Sequence, residues 1–71
     1  MDLSKFVQML QRDLESEFVA IGHYVTYAST IKGINRPELK EMFEAEAQDE
    51  LGHAQFFSDK IAALGAIPNI A

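Results

Sequence analysis

Glu50 and His53 form the clearest candidate for a functional pair of side chains in this chain. They stand three positions apart in the run from Glu44 to Phe57. On an α-helix, side chains three residues apart lie on the same face about one turn apart, so a carboxylate oxygen and an imidazole nitrogen can bind one metal ion. The pair alone is weak evidence, because glutamate and histidine are common on solvated helix faces. A metal site here needs further ligands from elsewhere in the chain.

Length and composition limit the kind of site that is possible. A chain of 71 residues is at most one domain and buries only a modest fraction of its surface alone, so we expect a partner. Without cysteine, any metal must have oxygen and nitrogen ligands, which excludes zinc fingers and iron–sulfur clusters. The net charge is −5 and no basic stripe is present, so nucleic acid is not an expected partner.

The start of the chain and its hydropathy predict the compartment. Residues 1–6 lack the charged start and apolar core of a signal peptide, and no apolar run approaches the length that spans a membrane. We therefore expect a cytoplasmic protein with no membrane partner.

Apolar residues recur at spacings of three and four along nearly the whole chain, which predicts an all-α fold. Helix 1 is expected over about 3–32, ended by Gly33, and helix 2 over about 36–64, with Pro37 in its first turn and Gly65 after its end. The short connection predicts an antiparallel two-helix hairpin, with residues 1–71 as a single unit. Because each helix has only one neighbour, two hairpins are expected to form a four-helix bundle, as a homodimer or a higher oligomer.

Charged and polar residues interrupt the apolar positions of this predicted bundle near its middle. In helix 1, Glu17 is the one charge among the core heptad positions. In helix 2 the corresponding core positions are Leu39, Glu46, His53, Lys60 and Phe43, Glu50, Phe57, Leu64. Glu17 and Glu50 are each sixteen residues from the predicted reversal at positions 33 and 34, so they should lie at the same level.

Because these residues are predicted to lie together in the middle of the bundle, their charges need a neutralising group there. Burying two carboxylates and an imidazole without compensation would cost several kcal/mol each. In a twofold dimer, Glu17, Glu50 and His53 of both chains would supply four carboxylates and two imidazoles, which match two divalent cations. Di-iron and di-manganese carboxylate bundles have this arrangement. The ligands suit iron(II) or manganese(II), and zinc is a competitor.

Each of the three residues also has a structural interpretation. Glu17 could be an edge residue whose carboxylate reaches solvent, Glu50 could pair with Lys60 or Arg36, and His53 could be a hydrogen-bonded core histidine. Their coincidence at one level on facing helices favours the metal site over these separate explanations.

Other candidates divide into possible site residues and packing residues. Glu46, one turn from Glu50, is an extra metal ligand or a solvated edge carboxylate, and Asp49 is a weaker candidate of the same kind. His23 falls off the core positions and is interpreted as a surface residue. Tyr24 lies two turns after Glu17 on the same face, as core packing or as a hydrogen-bonding and redox neighbour of the metals. Four aromatic residues are predicted to be core residues that keep the site dry: Phe18, Phe43, Phe56 and Phe57.

Three segments resemble the ferritin-like superfamily, most closely the N-terminal half of bacterioferritins and rubrerythrin-type proteins. They are residues 14–21 with Tyr24, residues 44–54, and the ending Leu-Gly-Ala-Ile-Pro-Asn over residues 64–69. The resemblance implies that Glu17 is a terminal carboxylate ligand, Glu50 a bridging ligand and His53 a terminal nitrogen ligand. It also implies a dinuclear iron cofactor.

The chain departs from this family in ways that also carry predictions. The family has a second Glu and a second Glu-x-x-His in the same chain, and this sequence has only the first set. Dimerisation would restore the count, as in the two-helix encapsulated ferritins. Leu51 stands where bacterioferritins have the methionine that binds haem, so no haem is expected. Cysteine pairs of rubredoxin type are absent, so a rubrerythrin-style peroxidase relay is not supported.

The resulting functional prediction is oxidation of iron(II) with dioxygen, with Glu17, Glu50, His53 and Tyr24 as the catalytic residues. Two alternatives remain at this point. One is a metal-binding module without turnover. The other is a helical dimerisation hairpin, or a piece of a larger protein, in which the polar residues only set the register of packing.

Overall fold

A computed structural model describes residues 2–70 as two long helices. Helix α1 spans Leu3–Thr30 and helix α2 spans Arg36–Ala63, each with 28 residues. They pack against each other over their length, and the molecule measures 52 × 18 × 14 Å. The segment after α2 contacts the first half of α1, so the helices are antiparallel. The predicted all-α hairpin is confirmed.

Local capping explains where α1 begins and ends. The carboxylate of Asp2 accepts a hydrogen bond of 2.9 Å from the backbone N–H of Lys5, which satisfies one of the free donors of the first turn. The predicted end near Lys32 is too late by two residues. The helix ends at Thr30 because Ile31 already has an extended backbone, with φ −57° and ψ 139°, and Gly33 follows with φ +110°.

The start and end of α2 match their sequence signals. Pro37 lies in the first turn, where a missing N–H costs nothing, and Glu38 lies beside the positive end of the helix dipole. At the other end, Gly65 has φ +87°. The N–H of Gly65 donates to the carbonyl of Ala62 and that of Ala66 donates to the carbonyl of Ile61, which is a Schellman motif.

The core is thin and lies mainly in the half of the hairpin that contains the chain ends. A continuous buried cluster there consists of Leu10, Leu14, Ala54 and Ile61, with Phe6, Phe18, Ile21, Phe57, Leu64 and Ala66 packed around it. The half near the turn is held by ring contacts of Phe43 with Tyr24 and Tyr27, at centroid distances of 6.2 and 5.4 Å.

The prediction that Phe56 is a core residue is wrong for the hairpin. Its side chain is 62% exposed, whereas Phe18, Phe43 and Phe57 are half-buried. Phe56 follows His53 by three residues and lies on a side of α2 that α1 does not cover. A hairpin offers each helix only one neighbour, so the far side of a two-sided apolar helix stays in solvent.

The segment after α2 folds back onto α1 and is held there by three hydrogen bonds. Gln11 donates a hydrogen bond of 2.9 Å from Nε2 to the backbone carbonyl of Ile67. Its Oε1 atom accepts a hydrogen bond of 2.8 Å from the backbone N–H of Asn69. The side chain of Asn69 donates from Nδ2 to Oε1 of Glu15 at 3.1 Å. We call these contacts between Gln11, Glu15, Ile67 and Asn69 the tail clasp.

Neither helix carries an apolar stretch long enough to cross a lipid bilayer; this finding covers residues 2–70.

Candidate metal centre

Glu17 and Glu50 point into the groove between the two helices at the middle of the hairpin. Glu17 is flanked along α1 by Leu14 and Phe18, which belong to or pack against the buried cluster. The side chain of Glu17 is 19% exposed and that of Glu50 is 20% exposed. Two acidic side chains are therefore largely withdrawn from water at the level that the sequence predicts.

His53 joins the two carboxylates. Its Nδ1 atom lies 3.5 Å from Oε2 of Glu17 and 3.5 Å from Oε2 of Glu50. One ligand atom from each of the three residues lies within 4.8 Å of the other two. Among residues 2–70, these three form the group of acidic and histidine side chains whose geometry could hold a metal ion.

The chemistry of this group fits a divalent cation. The Oε2 atom of Glu17 is buried and has no hydrogen-bond partner among the described residues. A buried carboxylate oxygen without a partner is costly, and a cation beside it would remove that cost. Ligand atoms that bind one ion at about 2.1 Å lie about 3–3.5 Å apart at adjacent coordination positions. The two 3.5 Å distances to His53 match that separation.

The separate structural explanations account for these residues less well. The basic side chain nearest the carboxylate of Glu50 is His53, and neither Lys60 nor Arg36 bridges to it among the described residues. The bridge between a lysine and a carboxylate in this part of the chain is Lys40–Glu44, on an exposed stretch of α2. Glu17 is not an edge residue in solvent, because its Oε2 atom is buried.

The other candidates lie outside the group of three. Glu46 is half-buried on α2 but does not join it, and Asp49 is exposed. Tyr24 is half-buried and packs against the rings of Phe43 and Tyr27, so its predicted redox role stays a prediction. His23 is exposed, as expected, and its ring lies 6.0 Å from that of Tyr27.

One side of the group is open to solvent. His53 is 59% exposed, and two large apolar side chains on the same side of α2, Met42 and Phe56, are 48% and 62% exposed. At 3.6 residues per turn these three positions lie within an arc of about 60° around the helix. We call this surface of Met42, His53 and Phe56 the open face of α2.

The sequence did not identify the tail clasp. Gln11 is a polar residue between apolar positions, and nothing in its surroundings along the chain indicates a partner near position 67 or 69. The usable signals are the glycine at position 65, which ends α2 and reverses the chain, and the Pro-Asn pair that follows.

Comparisons with known proteins agree with the all-α fold. Residues 7–71 match the family model of the ferritin-like domain. The chain is 33% identical over 63 residues to a bacterioferritin of Mycolicibacterium paratuberculosis and 32% identical over 63 residues to one of Mycobacterium leprae, covering 89% of this chain in both cases. It spans only 40% of the length of these curated relatives.

A solved structure is similar over the same region. A ferritin-like, diiron-carboxylate protein from Bacillus anthracis superimposes with a TM-score of 0.91 at 39% identity, over 99% of this chain and 52% of that protein. The relatives therefore contain additional chain of about the same length or more beyond the matched part. With the family model matched over residues 7–71, this chain belongs to the ferritin-like family.

Proposed function

We propose that two copies of this chain bind a dinuclear iron centre between them and oxidise iron(II) with dioxygen. The observation that carries the proposal is the group of Glu17, Glu50 and His53, in which the buried Oε2 atom of Glu17 accepts no hydrogen bond from the described residues. The B. anthracis relative, described as a diiron-carboxylate protein, supports iron as the metal. Manganese and zinc are the competing ions for the same ligand set.

Three observations support a second copy as the partner. One chain offers two carboxylates and one imidazole, too few ligands for two metal ions, and a twofold axis beside the site doubles the set. The open face of α2 leaves His53 beside exposed apolar side chains that need cover. The relatives have about twice this length or more, and a second copy would supply a second pair of helices for a bundle. Assembly beyond the dimer is a further possibility of the same proposal.

The side chains of this chain would divide the work of such a centre. Bound iron(II) supplies the electrons that reduce dioxygen. Glu17 and Glu50 offset the positive charge, and each carboxylate can bind one ion or bridge two. His53 offers a neutral nitrogen ligand. Phe18 and Phe57, packed on the buried cluster beside the ligands, limit access of water.

The remaining parts of the proposal concern Tyr24, haem and location. Tyr24 is assigned as a redox neighbour two turns from Glu17 on α1, which is about 10 Å along the helix axis. Leu51 has an aliphatic side chain with no ligand atom, so the centre is proposed to work without haem. The cytoplasm is the proposed compartment.

The proposal is tested by anaerobic titration with iron(II), followed by admission of air. We expect two irons per dimer and the appearance of iron(III)–carboxylate absorbance. Glu50→Ala should abolish tight binding, whereas Glu44→Ala, the same substitution at an exposed carboxylate of α2, should not. Binding far from two irons per dimer, or unchanged binding by Glu50→Ala, would contradict the proposal.

The alternatives from the sequence are separated by two further measurements. A module that only binds metal stops oxidising iron after its site fills, whereas the proposed centre continues under excess iron(II) and air. A purely structural hairpin is not stabilised by metal, whereas a ligand that binds only the folded state raises the melting temperature. In the structural case, Glu17→Leu should stabilise the dimer and metal should have no effect.

A further inference from the structure

The tail clasp joins the two helices that carry the metal ligands. Its residues on α1 are Gln11 and Glu15, and its residues after α2 are Ile67 and Asn69. Gln11 uses its amide in both directions, as donor to one backbone carbonyl and acceptor of one backbone N–H. This fixes the position of the tail along α1 as well as its distance from it.

The tail clasp lies close to the metal ligands along α1. Gln11 precedes Glu17 by six residues and Glu15 precedes it by two, which correspond to about 9 Å and 3 Å along the helix axis. On the other side, the tail is the direct continuation of α2, which carries Glu50 and His53. A displacement of the tail along α1 therefore changes the position of α2 relative to Glu17.

Packed side chains connect the tail clasp with the site. Ala66, which belongs to the tail, packs against the buried cluster that contains Leu14 and Ile61, both fully buried. Leu14 is one turn before Glu17, and Ala54 of the same cluster follows His53 directly. The contact from tail to metal ligands is thus continuous through close-packed side chains, which transmit small displacements.

The two-helix architecture gives this connection its importance. At the turn, residues 31–35 connect the helices covalently. At the opposite end, among residues 2–70, the segment after α2 is the part of the chain that crosses back to α1. The buried cluster of Leu10, Leu14, Ala54 and Ile61 packs that end of the hairpin, and the tail clasp adds directional hydrogen bonds that fix the position of α2 along α1.

We propose that Gln11, supported by Glu15 and Asn69, is a positioning residue that fixes the distance between Glu17 on α1 and the Glu50 and His53 pair on α2. Its relevance to metal binding rests on the function proposed above. Its effect on the arrangement of the ligand side chains does not, because the tail clasp and the site geometry both exist in a single metal-free chain.

The first test measures cobalt(II) binding and its visible absorption in three variants of the full chain. Gln11→Leu removes both hydrogen bonds of the amide at nearly constant size, Glu15→Gln keeps an oxygen acceptor for Asn69, and Ala28→Gly destabilises α1 at the far end of the hairpin. We expect Gln11→Leu to weaken cobalt binding about fivefold and to change its absorption spectrum. Glu15→Gln and Ala28→Gly should retain the wild-type spectrum, with affinities within about twofold.

Thermodynamic reciprocity gives a second test, because cobalt binding would not change the opening of a tail clasp that is independent of the metal site. If the tail clasp strengthens metal binding by a factor, metal binding must strengthen the tail clasp by the same factor. The backbone N–H of Asn69 donates to Gln11, so its hydrogen exchange reports opening of the tail clasp. We expect cobalt to slow this exchange about fivefold. The proposal is overturned if cobalt does not slow hydrogen exchange at Asn69, or if Gln11→Leu binds cobalt as tightly as Ala28→Gly does. Either result leaves the proposed function intact.

A metal-free measurement separates this proposal from the function on which it rests. The imidazole ¹⁵N resonances of His53 report its two carboxylate neighbours at 3.5 Å. At constant pH, Gln11→Leu should shift these resonances and Ala28→Gly should not. If the wild type binds no cobalt, the proposed function fails, and the His53 resonances alone then decide whether Gln11 positions the ligand side chains. Resonances of Gln11→Leu that coincide with those of the wild type overturn the positioning role.

Discussion

The two sides of α2 are built for different neighbours. The side against α1 carries small or aliphatic residues that are almost fully buried, namely Ala47, Ala54 and Ile61. The open face carries Met42, His53 and Phe56, each about half exposed or more. One helix thus has a buried side packed on α1 and a second, partly apolar side that no other element of residues 2–70 covers.

The proposed metal ligands on α2 lie on the boundary between these two sides. Glu50 is turned toward the groove with α1 and is 20% exposed, whereas His53 of the same Glu-x-x-His is 59% exposed. The packing of α1 against α2 thus covers the carboxylate of Glu50 but leaves the imidazole of His53 open to solvent. This difference fits the proposal that a second copy of the chain encloses the imidazole.

The largest effect on the free energy of unfolding is expected from a substitution in the buried interface between α1 and α2. Ile61→Ala removes a fully buried side chain from the cluster with Leu10 and Leu14, so it should lower the free energy of unfolding by about 2–5 kcal/mol. Val19→Ala, at an exposed position of α1 that faces away from the site, should cost less than about 1 kcal/mol. Chemical denaturation at one fixed protein concentration measures both. Equal costs would contradict the assignment of the core.

A smaller effect is expected from the open face. Phe56→Ser should raise the dissociation constant of the dimer at least about tenfold, because burial of a phenylalanine side chain contributes about 1.5–3 kcal/mol. Helix content should not change, since Phe56 is 62% exposed in the hairpin. Val19→Ser, at a side chain that is 58% exposed elsewhere, is the matched control. Sedimentation equilibrium measures the dissociation constant, and a dimer unaffected by Phe56→Ser would mean that a different face pairs.

The smallest effect is expected at Glu46. It stands one turn before Glu50 on α2 but outside the group of three, so Glu46→Gln should change iron(II) affinity by less than about threefold. A loss of tenfold or more in the same titration would show that Glu46 is a ligand and that the partner chain draws it into the centre.

The sequence was sufficient to predict the fold and the level at which the three proposed ligands lie. Helical periodicity placed Glu17, Glu50 and His53 on core positions, and equal counting from the turn placed the two carboxylates at one level. Both arguments depend only on helix geometry and on a short connection, which are local properties of the chain. The structure accordingly brings these three side chains together.

Features that depend on which neighbours are present were less predictable. Phe56 has an apolar side chain at helical spacing, and its exposure follows from how many helices surround α2 rather than from its sequence context. The tail clasp joins Gln11 to residues more than fifty positions away, and such a contact is specified by the folded path of the chain. Thr30 ends α1 before Lys32 because the backbone of Ile31 is already extended, a difference of two residues that the Gly33 signal does not resolve.

Each chain is proposed to hold half of a dinuclear centre, and native mass spectrometry after anaerobic loading with iron(II) distinguishes this shared centre from a separate site in each chain. The predicted result is a dimer that carries two iron ions, with Glu17→Gln losing the iron while Glu15→Gln retains it. The shared centre would be contradicted if single chains each held one iron as tightly as the dimer does. A dimer that retains no iron would contradict it as well.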